Sequence, residues 1–233
     1  MDRRTFLLTT PALLVTGCVS VGGASGPPAP EPTFRVGDRW VYNCADGFRL
    51  PVTWTETHEV TAVDATGIAV RVTGVGGVNF ERVELLSSPG VVKIGAVYDP
   101  DETRNFEPPM VRFQFPITPG TGWSQNLRNL NPANELMSNI GRTVRVGGYE
   151  TVGVPAGTFN AIVMRTLMAV DDNNPFRWPT NANYVTWWSE EAGNIVRMTK
   201  YATYVERGGG IDAIQIRAQN TLIELASFTR VKR

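Results

Sequence analysis

Apolar and polar side chains alternate along most of the chain from residue 34 onward, and glycine or proline separates the alternating runs. A period of two is that of a β-strand with one buried face, whereas an amphipathic helix has a period of 3.6. Residues 52–63 show the pattern clearly, with Trp54 and Val60 on one face and a row of threonines on the other. The alternation therefore predicts antiparallel strands joined by short turns.

Turn-forming residues mark the points where these strands reverse. They are Asp64-Ala65-Thr66-Gly67, Ser88-Pro89-Gly90, Gly147-Gly148 and Pro155-Ala156-Gly157. The second suits a type II turn, because proline fixes φ at one central position and glycine tolerates positive φ at the next. We expect the glycine pair to be the two-residue loop of a hairpin, and the last turn to lead into a long strand over residues 159–170.

About ten strands in one meander should curl rather than lie flat, because every strand pair adds right-handed twist. We predict an all-β fold, a curved antiparallel meander that forms a half-barrel or barrel, with at most one short helix. That helix would begin at Asn131, an N-cap residue type followed by Pro132 at the first helical position. Residues 34–233 are enough for one core, so we expect a single β domain.

The N-terminus is typical of an export signal rather than of a folded element. Charged residues at the start precede an apolar run over residues 6–15, about half the length that a membrane-spanning helix needs. Val15-Thr16-Gly17-Cys18 then resembles the lipobox of bacterial lipoproteins, whose cysteine carries acyl chains such as palmitate. The resemblance implies a signal peptide over residues 1–17 and a membrane partner reached through a lipid anchor on Cys18.

A second resemblance concerns the export route. Arg3-Arg4-Thr5-Phe6-Leu7 is similar to the twin-arginine export signal, in which paired arginines precede Phe and Leu. The alternative is the general export route, since paired arginines also occur in other leaders.

Residues 18–33 are rich in Gly, Ser and Pro and have no periodicity, so we expect a flexible tether between the lipid and the domain. Val19 and Ser20 follow the cysteine, and the lack of an aspartate there favours the outer membrane over the inner, with the domain facing the periplasm. The chain has 22 Lys and Arg residues and 22 Asp and Glu residues, so it has no net positive charge that would attract a nucleic acid, and we expect no nucleic-acid partner.

Four motifs carry a further resemblance. They cover residues 37–42 (GDRWVY), 115–123 (FPITPGTGW), 152–159 (VGVPAGTF) and 186–193 (TWWSEEAG). They resemble uncharacterised exported bacterial lipoprotein β-domains that have a V-PAGTF turn and a YWYSPEVG-like strand end, similar in outline to half-barrels of the LolA type. The resemblance implies a fold and an envelope location, and it implies no reaction.

Residues that carry chemistry are scarce. His58 is the one histidine, and Cys44 is the one cysteine besides Cys18. No Gly-x-Ser-x-Gly motif accompanies the histidine, and a structural zinc site needs four Cys or His ligands. The acidic loops near residues 99–102 and 171–174 lack calcium-loop spacing. We therefore expect no enzyme, no cofactor and no metal, with Cys44 either buried as a small apolar side chain, which is favoured, or a free thiol.

Strict alternation places Glu56 and His58 on the interior face beside Trp54. Burying ionisable groups without partners costs several kcal/mol. Either a bulge changes the register, which we favour, or the two side chains lie at the wet mouth of a cavity. The six tryptophans suit ordinary packing or an aromatic-lined concave face. Trp54, Glu56, His58 and Trp187 are the candidate residues of a ligand cavity.

Three functions stay open. The leading one is a non-catalytic envelope lipoprotein whose curved sheet binds a lipid-like or other apolar small molecule. The alternative is a module that docks an envelope protein through sheet edges or through residues 171–183, without a ligand cavity. The third is an enzyme that uses His58. A cavity of several hundred Å³ would separate the first from the second.

Replacing both Arg3 and Arg4 with lysine tests the twin-arginine interpretation. We expect the double variant to remain in the cytoplasm, because the paired arginines are the recognised feature of that signal. Fractionation and immunoblotting of cells that express either form measure this. Unchanged export would contradict the interpretation.

Overall fold

The computed structural model describes residues 24–97, 99–131, 135–171, 173, 178–207 and 214–232. Within these residues the chain forms twelve strands. The same residues contain no helix that is long and apolar enough to cross a membrane. The strands are β1 (Arg39–Asp46), β2 (Val52–Asp64), β3 (Gly67–Gly76), β4 (Phe80–Ser88), β5 (Val91–Gly95), β6 (Arg104–Val111), β7 (Gly122–Asn131), β8 (Leu136–Val154), β9 (Gly157–Asp171), β10 (Thr180–Ser189), β11 (Asn194–Arg207) and β12 (Ile214–Thr229).

The strands form one closed antiparallel barrel. Each strand pairs with its neighbours in sequence, and β1 also pairs with β12. Arg39 lies opposite Thr229 and Asp46 opposite Thr221, so this last pairing runs along the whole of β1. The all-β meander is confirmed, and its closed form is a barrel rather than a half-barrel.

The predicted alternation decides which side chains enter the barrel. In β9, Met164, Thr166 and Met168 line the interior, whereas Leu167 is 61% exposed. In β3, Val70 and Val72 are buried and Arg71 between them is exposed. The interior face of these strands is therefore the apolar face that the sequence indicates.

The glycine pair does not form the predicted hairpin loop. β8 continues through Gly147-Gly148, and the two glycines stand between the pairs Val146–Met164 and Tyr149–Ile162. Two residues therefore face one residue of β9, which is a β-bulge. Glycine allows a bulge as readily as a turn, and a side chain on Gly148 would come within 3.4 Å of the backbone of Ser25.

The β8–β9 reversal is instead at Pro155-Ala156, where Val154 lies opposite Gly157. Gly157 has a φ of 139°, a conformation that favours glycine. This turn was expected from the sequence and is confirmed. Asn131, where a short helix was expected to begin, is the last residue of β7; residues 132–134 lie outside the described residues, and β8 begins at Leu136.

A plug, made of residues 112–121 and Ala29, closes one end of the barrel. Ala29 and Ile117 are fully buried, and each donates its backbone N–H to the carbonyl of the other, at 2.9 and 2.8 Å. Phe115 packs against Trp188, with ring centroids 5.4 Å apart. The segment that the sequence assigns to the tether therefore contacts the barrel before residue 34.

The loop between β5 and β6 lies across the opposite end. Tyr184 donates its hydroxyl to the Val97 carbonyl at 3.0 Å, and the Gln219 amide donates to Asp99 at 2.7 Å. Arg82 donates to the Pro100 carbonyl. These donors belong to β10, β12 and β4, so the loop is held from several sides of the barrel.

Trp40 joins β1 to the β10–β11 turn. Its side chain is fully buried, and its indole N–H donates to the Ala192 carbonyl at 2.8 Å. We expect Trp40→Ala to lower the free energy of unfolding by about 3–5 kcal/mol, through lost burial and the cavity left behind. Urea unfolding followed by circular dichroism measures it. The matched control is Trp178→Ala, which removes a half-exposed indole and should cost less than about 1 kcal/mol; equal losses would contradict the role of Trp40.

Candidate functional site

The barrel interior contains a cavity of about 400 Å³. Small-molecule sites typically measure about 300–1,000 Å³ and have mostly apolar walls. Here the apolar wall includes Trp40, Trp54, Leu86, Val144 and Ile223. The interior therefore has the size and the surface of a small-molecule site.

Methionine is the most distinctive part of this wall. Met110, Met164, Met168 and Met198 all line the cavity, which is four of the six methionines of the chain. Because the methionine side chain is unbranched and polarizable, it adapts to apolar surfaces of different shapes. Alternation alone does not show this feature, since the four residues lie on β6, β9 and β11.

An ionic cluster occupies part of the interior. It consists of Glu56, His58, Arg82, Glu84 and Arg112. His58 Nε2 lies 2.6 Å from Glu56 Oε1, and Arg82 Nη2 lies 3.5 Å from the same oxygen. Glu84 accepts from Arg82 at 3.2 Å and from Arg112 at 2.8 Å. Each of the two buried carboxylates therefore has at least two charged or polar partners.

Trp54 adds a neutral donor to the cluster, since its indole N–H donates to Glu56 at 3.3 Å. Burial on its own would raise the pKa of both carboxyl groups. The hydrogen bond from His58 and the charge of Arg82 nonetheless hold the pKa of Glu56 below its usual value. The charges of Arg112 and Arg82 lower the pKa of Glu84 to about 2. Both carboxyl groups are therefore ionised at neutral pH.

Gly74 makes room for the cluster on the intervening strand. It lies opposite Glu56 of β2 and Phe80 of β4. A methyl group there would come within 2.1 Å of the Phe80 ring, so the aromatic side chain uses the space that glycine leaves. The Arg82 guanidinium in turn lies 5.1 Å from the centre of that ring.

Three of the four sequence candidates line the cavity, namely Trp54, Glu56 and His58. The favoured explanation for the two ionisable residues was a register change, and it is wrong. β2 does contain a bulge, but the bulge lies between Val60 and Ala62, beyond both residues. The contact between these two residues and the ion pair of Glu56 with Arg82 of β4, rather than a turn to the outside, offset their burial.

Trp187 does not line the cavity. Its neighbour Thr186 does, and alternation along β10 places Trp187 on the other face. Its indole N–H donates to Glu150 at 3.0 Å, and the Arg197 guanidinium lies 5.9 Å from the ring. The tryptophan therefore contributes to the outer contact between the β8–β9 hairpin and strands β10 and β11.

The sequence interpretation missed Arg82, Glu84, Arg112 and Arg142, which also line the cavity. In β4 the pattern is inverted, because Arg82 and Glu84 point inward while Val83 and Leu85 are 45% and 38% exposed. The only available signal was the pairing of opposite charges at positions i and i+2 in this strand.

A second polar group lies nearer the β5–β6 loop. Lys200 is buried, and burial lowers its pKa despite the opposing charges of Asp99 and Asp46. Thr221 donates to Asp46 at 2.9 Å. Across the residues that the structure describes, no group of three or more His, Cys, Asp or Glu side chains is arranged to hold a metal ion.

The fold and the interior define the chain as a closed antiparallel barrel with a largely apolar interior cavity. No protein-family profile and no curated protein matches the sequence. The likeness to solved structures is one of fold alone.

Two solved structures share the fold at low identity. One, from Bacteroides fragilis, is described provisionally as an exported protein with a YmcC-like fold; it is 15% identical, and the match covers 87% of this chain and 99% of that one with a TM-score of 0.54. The other, described provisionally as a lipoprotein of Parabacteroides distasonis, is 11% identical over 86% and 97% of the two chains, with a TM-score of 0.51. The LolA-like outline and the four motifs are not confirmed.

Replacing Glu84 with Gln tests the ionic cluster. Arg82 and Arg112 would lose their shared carboxylate, and removing one partner of a buried pair costs about 3–5 kcal/mol of unfolding free energy. Because the folded pKa is about 2 and the ordinary value is 4.5, the carboxylate stabilises the fold above pH 4.5 and loses this effect as the pH falls toward 2.

Urea unfolding at neutral pH and at several pH values between these two limits measures both effects. The variant should be less stable at neutral pH and should lose less stability on acidification than the wild type. The matched control is Glu107→Gln on the exposed face of β6, which should behave as the wild type. Identical acid profiles for Glu84→Gln and the wild type would contradict the role of the cluster.

Proposed function

We propose that this chain is a non-catalytic lipoprotein of the bacterial cell envelope whose barrel binds a lipid-like, apolar molecule in its interior. The observation that carries the proposal is the interior cavity of about 400 Å³ with its methionine-rich wall. A core that serves stability alone is packed without voids of this size, because each void forfeits dispersion contacts.

The envelope location is supported by the sequence of the leader. The lipobox ending at Cys18 supports an anchor on the membrane, and the residues after it favour the outer membrane with the barrel in the periplasm. Cys18 lies outside the described residues. The two solved structures of the same fold are described as an exported protein and a lipoprotein, which agrees with this location.

A catalytic role for His58 has little support from the geometry. The imidazole is engaged with Glu56, and the neighbouring side chains are arginines and a carboxylate that pair with one another. The arrangement resembles a structural ion network more than a nucleophile with a base.

Docking of a protein through sheet edges is also less well supported than ligand binding. The described strands close into a barrel, so every strand has a neighbour on each side. Docking through residues 171–183 stays as the alternative.

Thr166→Trp tests ligand binding with a control one residue away. Thr166 lines the cavity, whereas Leu167 faces outward from the same strand. We expect Thr166→Trp to weaken binding of the neutral apolar dye N-phenyl-1-naphthylamine at least about tenfold, because the indole occupies the space of the ligand, and Leu167→Trp to leave binding unchanged. Fluorescence titration measures both.

The titration uses the chain from residue 19 onward, which lacks the acylated cysteine and needs no detergent. This chain contains every described residue of the barrel, the plug and Ala29 included. Native mass spectrometry of the same protein identifies any molecule that co-purifies. Absence of dye binding to the wild type, or equal binding by the two tryptophan variants, would contradict the proposal.

A further inference from the structure

One guanidinium group on the cavity wall, that of Arg142, takes no part in the ion pairs of the ionic cluster. Arg82 is shared by Glu56 and Glu84, and Arg112 pairs with Glu84. These two carboxylates are therefore matched by two guanidinium groups. A third guanidinium, that of Arg142, lies on the cavity wall and makes no ion pair within the described part of the chain.

Arg142 is deeply buried and only partly hydrogen-bonded. Its side chain belongs to a residue that is 6% exposed. Its Nη1 donates to the Val111 carbonyl, while its buried Nε has no partner among the described residues. Nε and Nη2 form one edge of the planar guanidinium, and such an edge binds a carboxylate or phosphate through two parallel hydrogen bonds.

Of the other three acidic side chains of the wall, Asp46 and Asp99 are engaged elsewhere, and Asp101 makes no ion pair with Arg142. Asp46 accepts hydrogen bonds from the backbone N–H of Asn220 at 2.8 Å and from the Thr221 hydroxyl at 2.9 Å. Asp99 accepts from Gln219 at 2.7 Å. The charged group that most affects Arg142 is another cation, Arg112, which together with burial lowers its pKa to about 10. Arg142 is therefore still charged at neutral pH.

A buried charge without a counter-ion costs several kcal/mol, so an anion that enters the cavity would stabilise this guanidinium. Apolar side chains line the cavity beside it. Met168 is its cross-strand neighbour on β9, and Val144 is the next inward residue on β8. Met164 lies beyond Thr166 on the inner face of β9. The cavity therefore offers a charged group for the headgroup of an amphiphile and an apolar wall for its chain.

We propose that Arg142 binds the oxyanion headgroup of an amphiphilic ligand, a carboxylate or a phosphate, whose apolar chain lies against Val144, Met164 and Met168. This inference rests on the proposed function, because it assigns the charge of the molecule that the barrel binds. Arg142 acts as the specificity-determining residue of the cavity.

Four ligands with the same twelve-carbon chain test the charge preference. They are dodecanoate, dodecyl phosphate, dodecanol and dodecyltrimethylammonium, each titrated against the dye complex of the chain from residue 19, below the micelle concentration. We expect at least one of the two anions to bind the wild type at least about tenfold more tightly than dodecanol, since a hydrogen-bonded charge pair is worth that much. Which anion binds better identifies the headgroup, and either preference supports the inference.

Arg142→Met keeps the volume and removes the charge. It should bind the anions and dodecanol with equal affinity, whereas Arg142→Lys should keep part of the preference. The variant should fold, because the Val111 carbonyl still accepts from Trp123 at 3.1 Å and the buried unpaired charge is gone. Its melting temperature should not fall below that of the wild type. Arg128→Met, on the exposed face of β7, is the matched control and should keep the full preference.

The outcomes separate this inference from the proposed function. If dodecanol binds the wild type as tightly as both anions, or if the cationic ligand binds best, the inference is wrong while ligand binding stands. If Arg142→Met keeps the anion preference, Arg142 is not its source and the inference is likewise wrong. If none of the four ligands displaces the dye and the dye itself does not bind, the proposed function fails.

Discussion

The pairing of β1 with β12 is the constraint on which the other features depend. Without it the meander would be an open curved sheet with two free edges and one solvated concave face. With it, the inward side chains of all strands share one interior, and every polar group that points inward must find its partner there. The ionic cluster meets this need, since Glu84 of β4 pairs with Arg112, which lies 28 residues further along the chain.

Local periodicity was enough to predict the strands, because a two-residue repeat is a property of each segment by itself. It predicted β2, β3 and β9 and the turn at Pro155-Ala156. It failed where the same residue type serves two purposes, as at Gly147-Gly148, which forms a bulge instead of a turn. Periodicity also gave no guide to β4, because its apolar residues Val83 and Leu85 face outward. The inward-facing charges of Arg82 and Glu84 pair with each other, and Glu84 also pairs with Arg112, which lies outside this strand.

The candidate site was predicted in part, for a related reason. Glu56 and His58 stood out because they interrupt an apolar face, and that signal is contained in one strand. Arg82, Arg112 and Arg142 did not stand out, because arginine is common on exposed faces and only the tertiary fold places these three around one cavity. Trp187 was selected for its residue type, whereas its position next to the inward-facing Thr186 decides its orientation.

Cys44 lies in the strand whose pairing with β12 closes the barrel. It is buried in β1, opposite Trp54 on one side and Ile223 on the other, and burial raises the pKa of its thiol. The sulfur is buried, so a thiol reagent needs a local movement of β1 or its neighbours to reach it, and Cys44 is the single free thiol in the described residues. Alkylation of Cys44 in the native protein therefore reports how often the barrel opens locally where β1 pairs with its neighbours.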